Sequence, residues 1–227
     1  MRLIIVRHGE TEKNVKKIIQ GQTHGTLTKK GIQQHKKLAK RFKDEKIDVI
    51  YSSDLGRTKH LAKEILKCQK SQSKRFLSML KNTPRALARG RFLTFHKIPI
   101  NYAKELRERK FGIFEGKPHG SVRKYTEEKG IPYSKFKPKK GESADDMQKR
   151  TETFTKKIIN KYKNTNKTIL FVTHAGFITH LLLYILGLDR TKENASNIIV
   201  SNTAVTILEI DKKGAHKAKL INCIKHL

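Results

Sequence analysis

Acidic residues are scarce in this chain. Its 227 residues hold 20 Asp+Glu against 51 Lys+Arg, a formal net charge of +31. A balanced surface is excluded, and any anionic ligand gains electrostatic steering. Cysteine is nearly absent: Cys68 and Cys223 lie far apart, which excludes a disulfide scaffold and a cysteine-rich zinc site. With 5 Pro the chain is too proline-poor to be linker-rich, and 36% hydrophobic residues in periodic runs exclude full disorder. No apolar run approaches the length of about 18 residues that reads as a membrane span. The run Leu3 to Val6 is followed at once by charge, without a small-residue cleavage site. It reads as a buried first strand rather than a secretory signal. The expectation is a cytoplasmic protein with two reduced thiols, monomeric or homodimeric, with no membrane partner.

The charge admits two readings. A polyanion partner such as nucleic acid is one; a lysine-rich surface of background composition is the other. The excess is scattered along the chain, which favours the second. The segment 65–104 is the exception, with ten Lys or Arg and no Asp or Glu. Within it, 68–97 reads as a basic insertion: a surface excursion, or an arm for nucleic acid, the less favoured reading. Residues 76–80 have the pattern of a short amphipathic helix there.

Elsewhere strands and helices alternate. Leu3 to Val6, Asp48 to Ser52 and Thr168 to Thr173 are apolar runs suited to central parallel strands. Thr28 caps a helix to about Lys43 whose stripe is Ile32, Leu38, Ala39 and Phe42. A second helix runs from Asp54 to about Leu66. Ile98 to Tyr102 is a strand, Ser121 to Lys129 a short helix, and Ser143 with Asp146 a capping box opening a long helix to about Tyr162. Phe177 to Leu186 is too apolar for a surface helix, and Val205 to Ile210 with Ala218 to Ile221 closes the sheet. The alternation predicts a single α/β domain over 1–227, a three-layer α/β/α sandwich with a mostly parallel central sheet.

Two strands end in histidine-bearing corners, Arg7-His8-Gly9-Glu10-Thr11 and Thr173-His174-Ala175-Gly176. A third delivers Arg57 from the first turn of its helix. Open α/β sheets gather ligands beyond the carboxyl ends of their strands. A phosphoryl group needs positive charge and directed donors around its oxygens, and arginine supplies a rigid fork for them. A neutral imidazole can attack phosphorus covalently. Glycine near each histidine permits close approach. The competing reading leaves each histidine structural and Arg57 in a surface pair.

The stretch RHGET at 7–11 resembles the signature of the histidine phosphatase superfamily, the phosphoglycerate mutase-like proteins. Further stretches follow in the expected order: Asn14, IIQGQ at 18–22, LTKKG at 27–31, SSDLGRT at 52–58, ELRERKFGIFEG at 105–116, GES at 141–143 and VTHAGFI at 172–178. The resemblance implies that His8 is the nucleophile, with Arg7, Arg57 and a cationic His174 around its phosphate and Asn14 adding a hydrogen bond. It implies that Glu108 protonates the leaving oxygen and then serves as base for the hydrolytic water. It places Gln20 and Gly21 in a substrate-lining loop, Glu142 near the second histidine, and Thr11 at the phosphate rim. It implies no metal and no cofactor. Read without it, Glu108 is equally a partner for Arg107, Arg109 or Lys110, and Asn14 and Gln20 are ordinary loop residues. His24, His35, His60, His96, His119, His180, His216 and His226 read as surface or packing residues.

Within the superfamily the chain resembles the fructose-2,6-bisphosphatase-like and broad-specificity phosphatases. Phosphoglycerate mutases carry an adjacent arginine pair in a long insert after the glutamate loop. This chain has Arg123 and Lys124 there and no such pair. The expected function is metal-independent hydrolysis of a small anionic phosphate monoester through phosphohistidine. The alternatives are a 2,3-bisphosphoglycerate-dependent mutase and a basic nucleic-acid-binding protein on a reused phosphatase fold.

Overall fold

The computed structural model describes residues 1–81, 98–189 and 197–227, with side chains of 71–81 left aside. The centre is a six-stranded sheet: β1 (Arg2–Arg7), β2 (Val49–Ser52), β3 (Ile100–Tyr102), β4 (Thr168–Thr173), β5 (Val205–Ile210) and β6 (His216–Cys223). Their spatial order is β3-β2-β4-β1-β5-β6. β3, β2, β4 and β1 are parallel, while β5 and β6 close the edge antiparallel. β1 pairs Arg7 with Thr173 of β4, and β2 pairs Ser52 with Val172. That register brings the ends of three parallel strands, and the corners following them, to one edge.

Helices cover both faces. They are α1 (Glu12–Val15), α2 (Lys29–Arg41), α3 (Gly56–Lys81), α4 (Ser121–Glu128), α5 (Ala144–Tyr162) and α6 (Ala175–Leu186). On one face Leu3, Ile5, Ile169 and Phe171 pack against Phe154 and Ile158 of α5 and Phe177 and Leu181 of α6. On the other, Ile4, Val6, Leu170 and Val172 pack against Leu38 of α2, Phe42 at its C-terminal cap, and Leu61 and Ile65 of α3. Alternate residues of one apolar strand thus feed opposite cores, which is why β1 and β4 read as continuous apolar runs rather than alternating ones. No helix among the described residues is long and apolar enough to cross a membrane. Neither Cys68 nor Cys223 is in a disulfide.

Three local expectations change. α3 does not stop near Leu66 but continues to Lys81, because no glycine or proline interrupts the sequence between Gly56 and Pro84. Residues 76–80, expected as a separate short helix, belong to it; the remainder of the basic insertion, 82–97, lies outside the described residues. Ile32 is exposed rather than part of the α2 stripe. The buried face of that helix is Gly31, Gln34, His35, Leu38 and Ala39, the i, i+3, i+4, i+7 spacing, with two polar side chains at its upper end.

Candidate active site

His8 leaves β1 at its carboxyl end and is 3% exposed. Its Nδ1–H donates to the Gly9 carbonyl at 2.7 Å. This puts the proton on Nδ1 and the lone pair on Nε2. Arg57 Nε lies 3.3 Å from that Nε2. The guanidinium is held from behind by the Gly21 carbonyl at 2.8 Å and the Thr23 carbonyl at 3.2 Å. Gly21 therefore acts through its backbone, on Arg57. Arg7 donates Nη1 to the Val200 carbonyl.

His174 follows β4, and its ring stands 5.1 Å from that of His8, edge to face. Its Nε2 meets Ser53 Oγ at 2.9 Å. Its Nδ1 and the Nε of Arg7 are buried with no hydrogen-bond partner. Buried polar atoms left unpaired are costly, and here two of them belong to groups around one imidazole, in a pocket that already holds two guanidiniums.

The electrostatics follow from this crowding. Burial, and then Arg57 and Arg7, hold His8 well below the usual histidine range. Burial, then Arg57 and His8, do the same to His174. In the protein alone these causes favour the neutral form of both rings, against the expected cationic His174. Burial also lowers Arg57, to about 10, with Arg7 adding to the effect and Glu108 opposing it. Both guanidiniums remain charged at neutral pH.

Glu108 follows a short 3-10 turn, Lys104–Leu106. Its carboxylate does not pair with the neighbouring cations. Oε1 accepts the Arg109 N–H at 2.8 Å and Oε2 the Gly176 N–H at 3.1 Å. Arg107 is engaged elsewhere, by both oxygens of Asp54, which ties the glutamate loop to the corner after β2. Arg109 donates to the carbonyls of Glu142 and Phe136. Burial lowers Arg7 as it lowers Arg57, and Glu108 opposes the effect at both, so its charge acts on the same pocket. Glu108 also borders a cavity of about 470 Å³, lined with it by Gly176, Phe111, Arg123, Tyr133, Met147 and Leu183.

The remaining expected residues divide. Asn14 lies beside the nucleophile corner, its Oδ1 accepting from Thr11 N at 3.1 Å and Asn202 Nδ2 at 3.4 Å. Thr11 is a helix cap: its hydroxyl accepts from Asn14 N and donates to Gln20 Oε1. Gln20 is buried, its Oε1 accepting from that hydroxyl and its Nε2 left without a partner. The neighbouring Gln22 reaches the Glu108 carbonyl instead, at 3.0 Å. Glu142 pairs with Arg150 and accepts the Lys110 N–H, so it braces the glutamate loop from outside.

Four side chains carry interactions that sequence reasoning missed. Ser53 orients His174; Asn202 donates to the His8 carbonyl at 3.1 Å. Gln34 and His35 accept the N–H groups of Glu10 and Gly9. For the last two a signal existed, since polar residues stood at buried positions of the α2 stripe.

The model of the histidine phosphatase superfamily (branch 1) matches residues 3–80 and 82–223. The chain belongs to this superfamily. It is 30% identical over 216 residues to the broad-specificity phosphatase YOR283W of Saccharomyces cerevisiae, covering 93% of this chain and 80% of that protein. It is 33% identical over 154 residues to the fructose-2,6-bisphosphatase TIGAR of Bos taurus, covering 67% of this chain and 48% of that protein. The solved structure of Bacillus stearothermophilus YhfR superposes with a TM-score of 0.75 at 26% identity, covering 99% of this chain and 98% of that one. Membership assigns the chain, as a histidine phosphatase, to phosphatase chemistry on small phosphate esters.

Proposed function

We propose that this chain hydrolyses a small phosphate monoester without a metal ion, through a phosphohistidine formed on His8. The observation that carries the reading is the set of unpaired donors, Arg7 Nε and His174 Nδ1, around a neutral His8 whose Nε2 lone pair faces Arg57.

The phosphoryl oxygens take donors from Arg7, Arg57, His174 and Asn14. Ser53 donates its hydroxyl hydrogen to His174 Nε2, which leaves Nδ1–H as the donor to phosphate. A dianion in the pocket favours protonation of His174, opposing the burial that keeps it neutral. His8 Nε2 attacks phosphorus as the P–O bond to the leaving group breaks. Protonated Glu108 gives its proton to the departing oxygen. The product alcohol leaves, and water enters beside the resulting Glu108 carboxylate. That carboxylate takes a proton from the water as its oxygen attacks the phosphohistidine. The P–N bond breaks, and neutral His8 is restored with inorganic phosphate. The two backbone N–H groups on Glu108 fix its orientation in both steps, since each oxygen keeps a lone pair for the proton. The leaving group extends into the cavity beside Glu108, whose walls combine Phe111, Tyr133 and Leu183 with Arg123.

The test is a substrate panel assayed with EDTA, containing p-nitrophenyl phosphate, phosphoglycerates and sugar bisphosphates. Turnover should survive EDTA, and acid-labile, base-stable phosphate should be trapped on His8 during turnover. The His8→Ala protein should be inactive and unlabelled. Hydrolysis persisting in that variant, or lost with EDTA and restored by a divalent cation, would overturn the reading.

A further inference from the structure

The two peptide units after His8 are gripped by adjacent side chains of α2. Glu10 N–H donates to Gln34 Oε1 at 2.8 Å, and Gly9 N–H to His35 Nε2 at 2.7 Å. Glu10 N–H belongs to the same amide as the Gly9 carbonyl, the acceptor of His8 Nδ1–H. A hydrogen bond to one end of an amide polarises the other and strengthens it as an acceptor. Gln34 and His8 therefore stand at opposite ends of one polarised peptide.

The second grip fixes a further pair of tautomers. Accepting the Gly9 N–H requires a lone pair on His35 Nε2, so the His35 proton is on Nδ1. That nitrogen lies 2.9 Å from His60 Nδ1, which must then be the acceptor and carry its own proton on Nε2. His35 is fully buried, and burial, followed by His60, lowers its pKa to about 3. It stays neutral, and its lone pair stays available. The fit is close: a Cβ on Gly9 would lie 2.6 Å from the Gly31 carbonyl and 2.8 Å from the His35 ring.

We propose that His35, oriented by His60, is a positioning residue for the nucleophile. It holds the Gly9 amide so that, with Gln34, the Gly9 carbonyl keeps the His8 proton on Nδ1 and the reactive lone pair on Nε2. This rests on the reading of His8 as nucleophile.

The experiment compares His35→Leu, which fills the site without an acceptor, with His35→Gln, which restores a neutral acceptor. Single-turnover phosphorylation by p-nitrophenyl phosphate is measured together with the ¹⁵N shifts of the His8 ring. In His35→Leu the maximal rate should fall about 10-fold to 100-fold, the loss set by leaving the Gly9 donor unpaired and the tautomer unfixed. The half-saturating concentration should move less than about threefold, because the phosphate donors are untouched. The His8 shifts should move from one tautomer to a mixture, and His35→Gln should recover most of the rate. If His35→Leu fails to fold, His60→Leu carries the same readouts, as it removes only the acceptor of His35 Nδ1. Unchanged rate and shifts in a folded variant would overturn the proposal, as would equal impairment by Leu and Gln. A wild-type chain that traps no phosphohistidine would instead overturn the reading of His8.

Discussion

Glu108 Oε2 accepts the Gly176 N–H at 3.1 Å, and the Gly176 Cα has no room for a methyl group beside that carboxylate. A Cβ there would lie 2.1 Å from Glu108 Oε1 and 3.3 Å from Met147 Cε. Glycine therefore serves a close approach between two parts of the protein, where sequence reasoning had assigned it to the ligand. Gly176→Ala should displace the Glu108 carboxyl and lower kcat for alkyl phosphates by about 10-fold to 100-fold, the scale of a misplaced catalytic group. Steady-state kinetics checks it. Wild-type kcat in a folded Gly176→Ala protein would contradict the tight fit.

Glu108→Gln keeps the shape and removes the exchangeable proton. General acid catalysis contributes about 10² to 10⁴ where the leaving group is a poor one. Hydrolysis of an alkyl phosphate should fall by that order. Phosphorylation by p-nitrophenyl phosphate, whose leaving group needs little protonation, should fall much less. Single-turnover rates for the two substrates decide it, and equal slowing would remove the acid role.

Much of this site was legible because its parts sit where periodic patterns stop. The apolar runs of β1 and β4 end in RHG and THAG, so the strand signal itself located His8 and His174. The capping box of Ser143 and Asp146 was visible for the same reason, as a local pattern before an apolar stripe. What was hidden depends on tertiary approach. Nothing local to Ser53 or Asn202 announces that one orients His174 and the other holds the His8 carbonyl. His35 lay in the stripe of α2, yet its partner, Gly9, is 26 residues away in sequence. Glu142 stood in a recognisable corner, but Arg150, eight residues on, claims its carboxylate. Motif position named the corner and could not predict which partner the side chain takes.

The capping box can be weighed directly. Ser143 Oγ accepts Asp146 N at 2.9 Å, and Asp146 Oδ2 accepts Ser143 N at 3.1 Å. Asp146 is held below the usual carboxylate range first by that backbone bond and then by Lys137. Ser143→Ala should cost about 1 kcal/mol, which for a chain of this length lowers Tm by about 2–4 °C. Calorimetry at neutral pH measures it. An unshifted Tm would mean that the first turn of α5 is held by packing alone.

Three buried histidines couple folding to pH in one direction. His8, His174 and His35 all have native pKa values below the unfolded value of about 6.5. Below that pH the unfolded chain binds protons that the native chain refuses, so stability is complete above about 6.5 and is lost as pH falls. His35, with a native pKa of about 3, should contribute a slope of about 1.4 kcal/mol per pH unit through this window. His8 and His174 steepen it, and so, from a half-buried position, does His226, lowered to about 4 mainly by burial. The carboxylates of Asp54 and Asp146 are held below their ordinary values and lose their contribution only nearer their unfolded pKa of about 3.9. Urea midpoints between pH 7 and about 4.5 therefore isolate the histidines. The wild-type midpoint should fall steeply across that range, and the His35→Leu midpoint should fall less steeply from a lower start. Parallel slopes would mean that His35 takes up its proton in the native state, which its bond to the Gly9 N–H forbids.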